Sequence, residues 1–184
     1  DVERSRGLGD VYKRQEYKII SKHEGFEVRR YSDMVIATTK VQADYKNSTS
    51  SGFRRIASYI FGGNDKEMKI AMTAPVIADC PSEGLKSYNI SFVMPKEHSM
   101  KDLPKANISE VSIQKESLGE LAVLAFGGWA SESRSMGYQK KLSELLTKNK
   151  IEKKGGFMIA QYNSPWTLPP FRKNEVMVRI LNTP

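Results

Sequence analysis

Short strand-like runs and an amphipathic helical stretch follow one another in the same order twice along this chain, and few folds accommodate that order. Tyr17–Ser21 and Phe26–Tyr31 read as strands joined by a His23-Glu24-Gly25 turn, and Met34–Val41 is a longer β-branched run. Asn47-Ser48-Thr49-Ser50 then offers N-cap chemistry. Phe53, Ile56, Ala57, Ile60 and Phe61 fall on one helical face, which Gly62-Gly63-Asn64-Asp65 ends. Met68–Ala78 is a strand region interrupted at Pro75, and Tyr88, Ile90, Phe92 and Met94 alternate with Asn89, Ser91 and Val93 as a half-buried strand does. The second half repeats this. Glu110–Lys115 and Leu121–Phe126 are strands, the latter apolar on both faces and therefore expected inside a sheet. A helix over Glu132–Lys148 carries Tyr138, Leu142, Leu145 and Leu146, and Phe157–Tyr162 and Glu175–Leu181 close the chain as strands. Each half also holds a short Pro turn, Met72-Thr73-Ala74-Pro75-Val76 in one and Tyr162-Asn163-Ser164-Pro165-Trp166 in the other. The economical explanation is a duplicated β-β-α-β-β unit of about 80 residues, because neither half alone would bury much core.

Asp1–Gln15 has no such pattern and no signal-peptide core. Its string RGLGDVYKRQ looks like a translated sequencing-adapter scar, with a native disordered arm as the alternative. Residues 1–15 are therefore expected to be a non-native or disordered extension, and residues 16–184 one domain. A cytoplasmic location is expected, with export as the alternative if a signal preceded Asp1 in the native chain.

The residues that do chemistry are sparse. Cys80 is the one cysteine, which excludes an internal disulfide and a cysteine-based metal cluster. His23 and His98 are the two histidines, one in a turn and one in a loop, and neither stands in a nucleophile–base arrangement. Gly127-Gly128 and Gly155-Gly156 lack the lysine-serine that completes a phosphate cradle. The net charge of +8 is dispersed over pairs such as Arg54-Arg55 and Lys153-Lys154 instead of forming one stripe. A binding module with no metal, no nucleic-acid partner and no membrane span is the expectation, not an enzyme.

Three blocks carry a resemblance. Gly52 to Val76, the hairpin Phe26-Glu27-Val28-Arg29-Arg30-Tyr31, and Tyr162-Asn163-Ser164-Pro165-Trp166 with Asn174-Glu175-Val176 resemble the SOUL/haem-binding protein family in order and spacing. The resemblance implies an α+β fold, a distorted antiparallel β-barrel of about eight strands with two helices. It also implies a non-catalytic carrier or buffer that holds haem or another tetrapyrrole in a hydrophobic cleft beside the first helix. Phe53, Arg54, Arg55, Ile56, Ala57, Ile60, Met72, Trp166 and Leu168 are the residues it brings forward, with the arginines meeting the propionates. Met68 and Met72 share a strand face, and their thioethers could ligate iron, although core filling is the commoner use. Some members of the family have a histidine where this chain has Arg30, and a guanidinium has no lone pair for iron. The alternative function is a sensing or scaffold module that uses the same cleft for another amphipathic molecule or a partner helix.

Overall fold

The computed structural model describes residues 16–80, 86–163 and 167–181, so the extension expected over residues 1–15 lies outside the described residues. Along the chain come β1 (Tyr17–His23), β2 (Phe26–Tyr31), β3 (Met34–Val41), α1 (Tyr45–Ile60), β4 (Val76–Asp79) and β5 (Tyr88–Val93). They are followed by β6 (Val111–Glu116), β7 (Glu120–Gly127), α2 (Glu132–Lys148), β8 (Lys153–Gln161) and β9 (Lys173–Ile180).

Helix α2 has the expected bounds, capped by Ser131. Helix α1 starts earlier than the Asn47–Ser50 run suggests. Its N-cap is Asp44, whose carboxylate accepts from the backbone N–H of Asn47 at 2.9 Å. Thr49 lies inside the helix instead and returns its hydroxyl to the Tyr45 carbonyl at 2.9 Å. The strand region expected from Met68 shrinks to Val76–Asp79, and buried Asn64 accounts for part of the difference. Its side-chain amide donates to the carbonyls of Tyr59 and Met68, and its carbonyl accepts from the Met68 N–H at 2.9 Å. The Met68 backbone is thereby tied to the end of α1, not to a ladder.

All nine strands join one antiparallel sheet in the order β1-β2-β7-β9-β8-β4-β5-β3-β6. The series β2-β3-α1-β4-β5 and β6-β7-α2-β8-β9 repeat one another, with β1 added in front. Within the sheet they are related by an approximate two-fold. Strands β4 and β8 pair at its centre, and the first strand of each series crosses to the second strand of the other, β2 to β7 and β6 to β3.

The expected barrel is not closed. Strands β1 and β6 are the edges and share no ladder, and β1 already occupies the side of β2 that closure would use. The sheet is nevertheless strongly curled. Arg179 of β9 and Glu116 of β6 form an ion pair at 2.5 Å, although β9-β8-β4-β5-β3-β6 spans five strand spacings. In a flat sheet that path would be roughly 24 Å.

Both helices lie on the convex face. Helix α1 packs Ile56, Tyr59 and Ile60 against Ala37, Ile90 and Phe92, and α2 packs Leu142 and Leu146 against Val28, Ala122 and Val176. The approach of α1 is close enough that a Cβ on Gly52 would overlap Ile90. The concave face has its own apolar layer, including Met34, Ile36, Ile77, Val123, Met158 and Met177. As expected, Leu121–Phe126 is interior, flanked by β2 and β9.

Candidate ligand-binding edge of the first helix

The expected site residues fall into three groups on α1. Ile56 and Ile60 are fully buried and belong to the helix–sheet core, which leaves them no surface for a ligand. Arg55 lies on the edge toward β3, where its guanidinium donates to the Lys40 carbonyl at 3.2 Å and to Thr39 Oγ1 at 3.4 Å. Phe53, Ala57 and Phe61 follow one another at intervals of four and share the opposite edge, toward β4. Phe53 and Ala57 are partly exposed and Phe61 is 64% exposed. Phe53 is tilted against Phe92 with 5.3 Å between ring centroids and stays partly exposed.

Met68 and Met72 are half-buried and pack against the same core cluster as Phe53. They are carried by the segment that Asn64 ties to α1, and Ile70 N–H donates to the Ile60 carbonyl at 2.8 Å to hold it alongside the helix. Arg54 is exposed on the open edge and makes no ion pair among the described residues. Of the two expected propionate partners, Arg54 is thus unengaged and Arg55 is turned away.

The apolar loop after β8 starts at the same end of the sheet, because Gln161 is in register with Val76. Leu168 and Phe171 are 66% and 74% exposed, and the Arg172 guanidinium stacks 3.8 Å above the Trp129 ring. Trp166, expected to help cover the site, lies outside the described residues.

The histidines sit elsewhere. His23 stacks on Phe26 at 4.5 Å and bonds Ser21 at 2.9 Å in the first hairpin, and His98 lies in the turn after β5. Arg30 is exposed on β2, in the α2 half of the sheet, and pairs with Glu120. Among the described residues no group of three or more His, Cys, Asp or Glu could hold a metal, and no helix is long and apolar enough to cross a membrane.

The inner face holds a charged cluster that pattern reading missed. Glu175 is fully buried, accepting from Arg29 at 3.0 Å and from the Tyr162 hydroxyl at 2.5 Å. Burial works against the Arg29 charge, but Glu175 and its other neighbours outweigh it and keep the guanidinium protonated. Burial likewise raises the Tyr31 and Tyr162 hydroxyls, with Glu175 adding to both. A carboxylate so fully engaged braces the sheet and is not a free base. Glu175 follows polar Lys173 and Asn174 and precedes the apolar run Val176–Val178, so the local pattern reads it as a strand-end polar residue, and only the Arg29–Glu175 pairing, remote in sequence, could have revealed it.

A curled antiparallel sheet with two helices on its convex face, and one helix edge left apolar and open, defines an α+β domain. The model of the SOUL heme-binding protein family matches residues 12–179, and the chain belongs to that family. It is 33% identical over 165 residues to human Heme-binding protein 2, covering 86% of this chain and 80% of the relative. To Heme-binding protein 1 of Xenopus laevis it is 28% identical over 178 residues, covering 92% of each. Among solved structures, the EcmrR C-terminal domain superposes with a TM-score of 0.68 at 9% identity, covering 91% of this chain and 99% of that one. A hydrolase from Listeria innocua superposes with a TM-score of 0.61 at 11% identity, covering 88% and 94%. At those identities the likeness is one of fold.

Proposed function

We propose that this chain binds haem or a related tetrapyrrole without turning it over, as a carrier or buffer, along the open edge of α1. The observation that carries this reading is the exposed row Phe53–Ala57–Phe61 beside half-buried Met68 and Met72, with unpaired Arg54 at its rim. A flat apolar ring suits the row, and a propionate suits a guanidinium that makes no ion pair among the described residues. The names of the relatives agree with the ligand. Ile56 and Ile60 support this edge from beneath, and Leu168 stands in the loop that begins beside it. Bound iron would supply the redox and ligand chemistry. The nearest soft donors are the thioethers of Met68 and Met72, which makes a histidine-ligated spectrum unexpected.

Hemin titration with an albumin competitor, followed at the Soret band, tests the reading. Phe53→Ala and Arg54→Ala should each weaken hemin by about tenfold while leaving the fold intact. Ile56→Ala should instead destabilise the domain by roughly 2–5 kcal/mol. Equal hemin affinity in wild type, Phe53→Ala and Arg54→Ala, measured on folded protein, would remove α1 from the site. No Soret change in the wild type would remove haem.

A further inference from the structure

The concave face contains a cavity of about 380 Å³, on the side of the sheet away from α1 and its open edge. Its floor is apolar: Met34 and Ile36 of β3, Ile77 of β4, Leu118 and Met158 of β8. Above the floor stand Thr38, Ser91, Asn89 and the carboxyl of Asp79. Thr38 Oγ1 donates to the Ile90 carbonyl at 3.3 Å and accepts from Ser91 Oγ at 2.9 Å, so both hydroxyl protons are committed. At the mouth Arg179 is held by Glu116 at 2.5 Å.

Asp79 differs from these neighbours. It is half-buried, its polar neighbour is the uncharged Asn89, it makes no ion pair among the described residues, and Arg179, which also lines the cavity, is already paired with Glu116. With Glu116 and Arg179 cancelling, and Lys40 offsetting Glu110 at the rim, the cavity keeps one uncompensated negative charge in a chain whose net charge is +8. A volume of this order suits a small ligand. An apolar floor with a single unpaired carboxylate selects for a monocation with a compact apolar body, and disfavours a dianionic tetrapyrrole.

We propose that the concave cavity is a second ligand site, distinct from the α1 edge, that takes a small amphipathic amine with its ammonium on Asp79 and its apolar body on Met34, Ile77 and Met158.

Methyl NMR on the whole chain reads this directly, with phenethylamine as the cationic probe and phenethyl alcohol and phenylacetate as neutral and anionic counterparts. The Met34 and Met158 methyl signals should shift saturably with the amine while the Met72 signal stays in place. The alcohol and the carboxylate should bind about tenfold more weakly or worse. Asp79→Asn should lose at least about tenfold in amine affinity. Should Asp79→Asn fold poorly, Gln114→Arg adds a positive charge at an exposed position on the cavity's edge strand and should weaken the amine in the same direction. Hemin affinity should be unchanged in both variants, so a failure here is separable from a failure at the α1 edge. Amine-independent Met34 and Met158 signals, equal affinity for all three probes, or undiminished amine binding in both variants would overturn the second site.

Discussion

Arg179 and Glu116 meet at 2.5 Å across the gap between the two limbs of the curled sheet, joining β9 to β6 by side chains where no backbone ladder joins the edges. The pair is partly exposed, at 41% and 26% for the two side chains. Water and salt screen it, and Glu116→Gln should cost no more than about 1 kcal/mol. Arg29 and Glu175 on the same face are 7% and 1% exposed. Glu175→Ala leaves the buried Arg29 guanidinium with Glu27 as its remaining carboxylate and takes the acceptor from the Tyr162 hydroxyl, and should cost clearly more, up to roughly 3 kcal/mol. Urea unfolding of the two variants compares them, and equal losses would contradict the assignment of one pair to the rim and the other to the interior.

Gly52 sets how closely α1 approaches the sheet. A Cβ there runs into the side chain of Ile90, whereas a Cβ at Gly137 of α2 meets nothing within 4 Å. Gly52→Ala should therefore destabilise by roughly 1–3 kcal/mol through overpacking. Gly137→Ala should be neutral or stabilise by up to about 1 kcal/mol, since glycine is a poor helix former. Thermal melts of both variants check the contrast, and a stabilising Gly52→Ala would mean that α1 stands further from β5.

Most of the elements were legible in the sequence because each carries its own period, the start of α1 and the strand region from Met68 being the exceptions. Helix α2, with apolar residues from Tyr138 to Leu146 at helical spacing, was readable over its length. The repeated order was visible as well, and the two-fold strand order bears it out at the level of topology. What the periods do not encode is which strands meet. The crossing of β2 to β7 and of β6 to β3, and the open edges in place of a barrel, depend on non-local pairing. The candidate site shows the same division. A helical period marks Ile56 and Phe53 alike as apolar, but only packing separates the buried Ile56 from the open edge of Phe53, or turns Arg55 toward Lys40 and leaves Arg54 free. The concave cavity joins residues of strands far apart in sequence, from Met34 to Arg179, and no local pattern announces it.

Cys80 follows Asp79 at the end of β4 and accepts a bond from the Gln139 amide at 3.4 Å. Burial pushes its thiol up to about 12, and the Asp79 carboxylate adds to the shift. At pH 8 the reactive thiolate is then on the order of one molecule in ten thousand. Labelling by a disulfide reagent should be slow in the folded protein and fast in denaturant. Rapid labelling of folded protein at pH 8 would show that the thiol is not shielded.

Asp79 makes a prediction about stability that is independent of any ligand. Burial raises its carboxyl pKa above the ordinary aspartate value, with Asn89 and Arg179 opposing the shift and Glu116 adding to it. Below the ordinary value both folded and unfolded chains hold the proton, and Asp79 costs nothing. As the pH rises from that value to the raised one, the unfolded chain releases the proton before the folded chain does. Stability falls over this window and then stays level. Asp79→Asn keeps the shape and removes the charge, so its melting temperature should exceed that of wild type at pH 7, and the difference should shrink as the pH falls to about 4. The substitution that stabilises the domain is also the one expected to weaken amine binding, the exchange of stability for function that a charge without an ion-pair partner facing a cavity represents. Melts across that pH range decide the matter. A less stable Asp79→Asn at pH 7, or a difference that does not vary with pH, would mean that the carboxylate has a compensating partner in the folded chain.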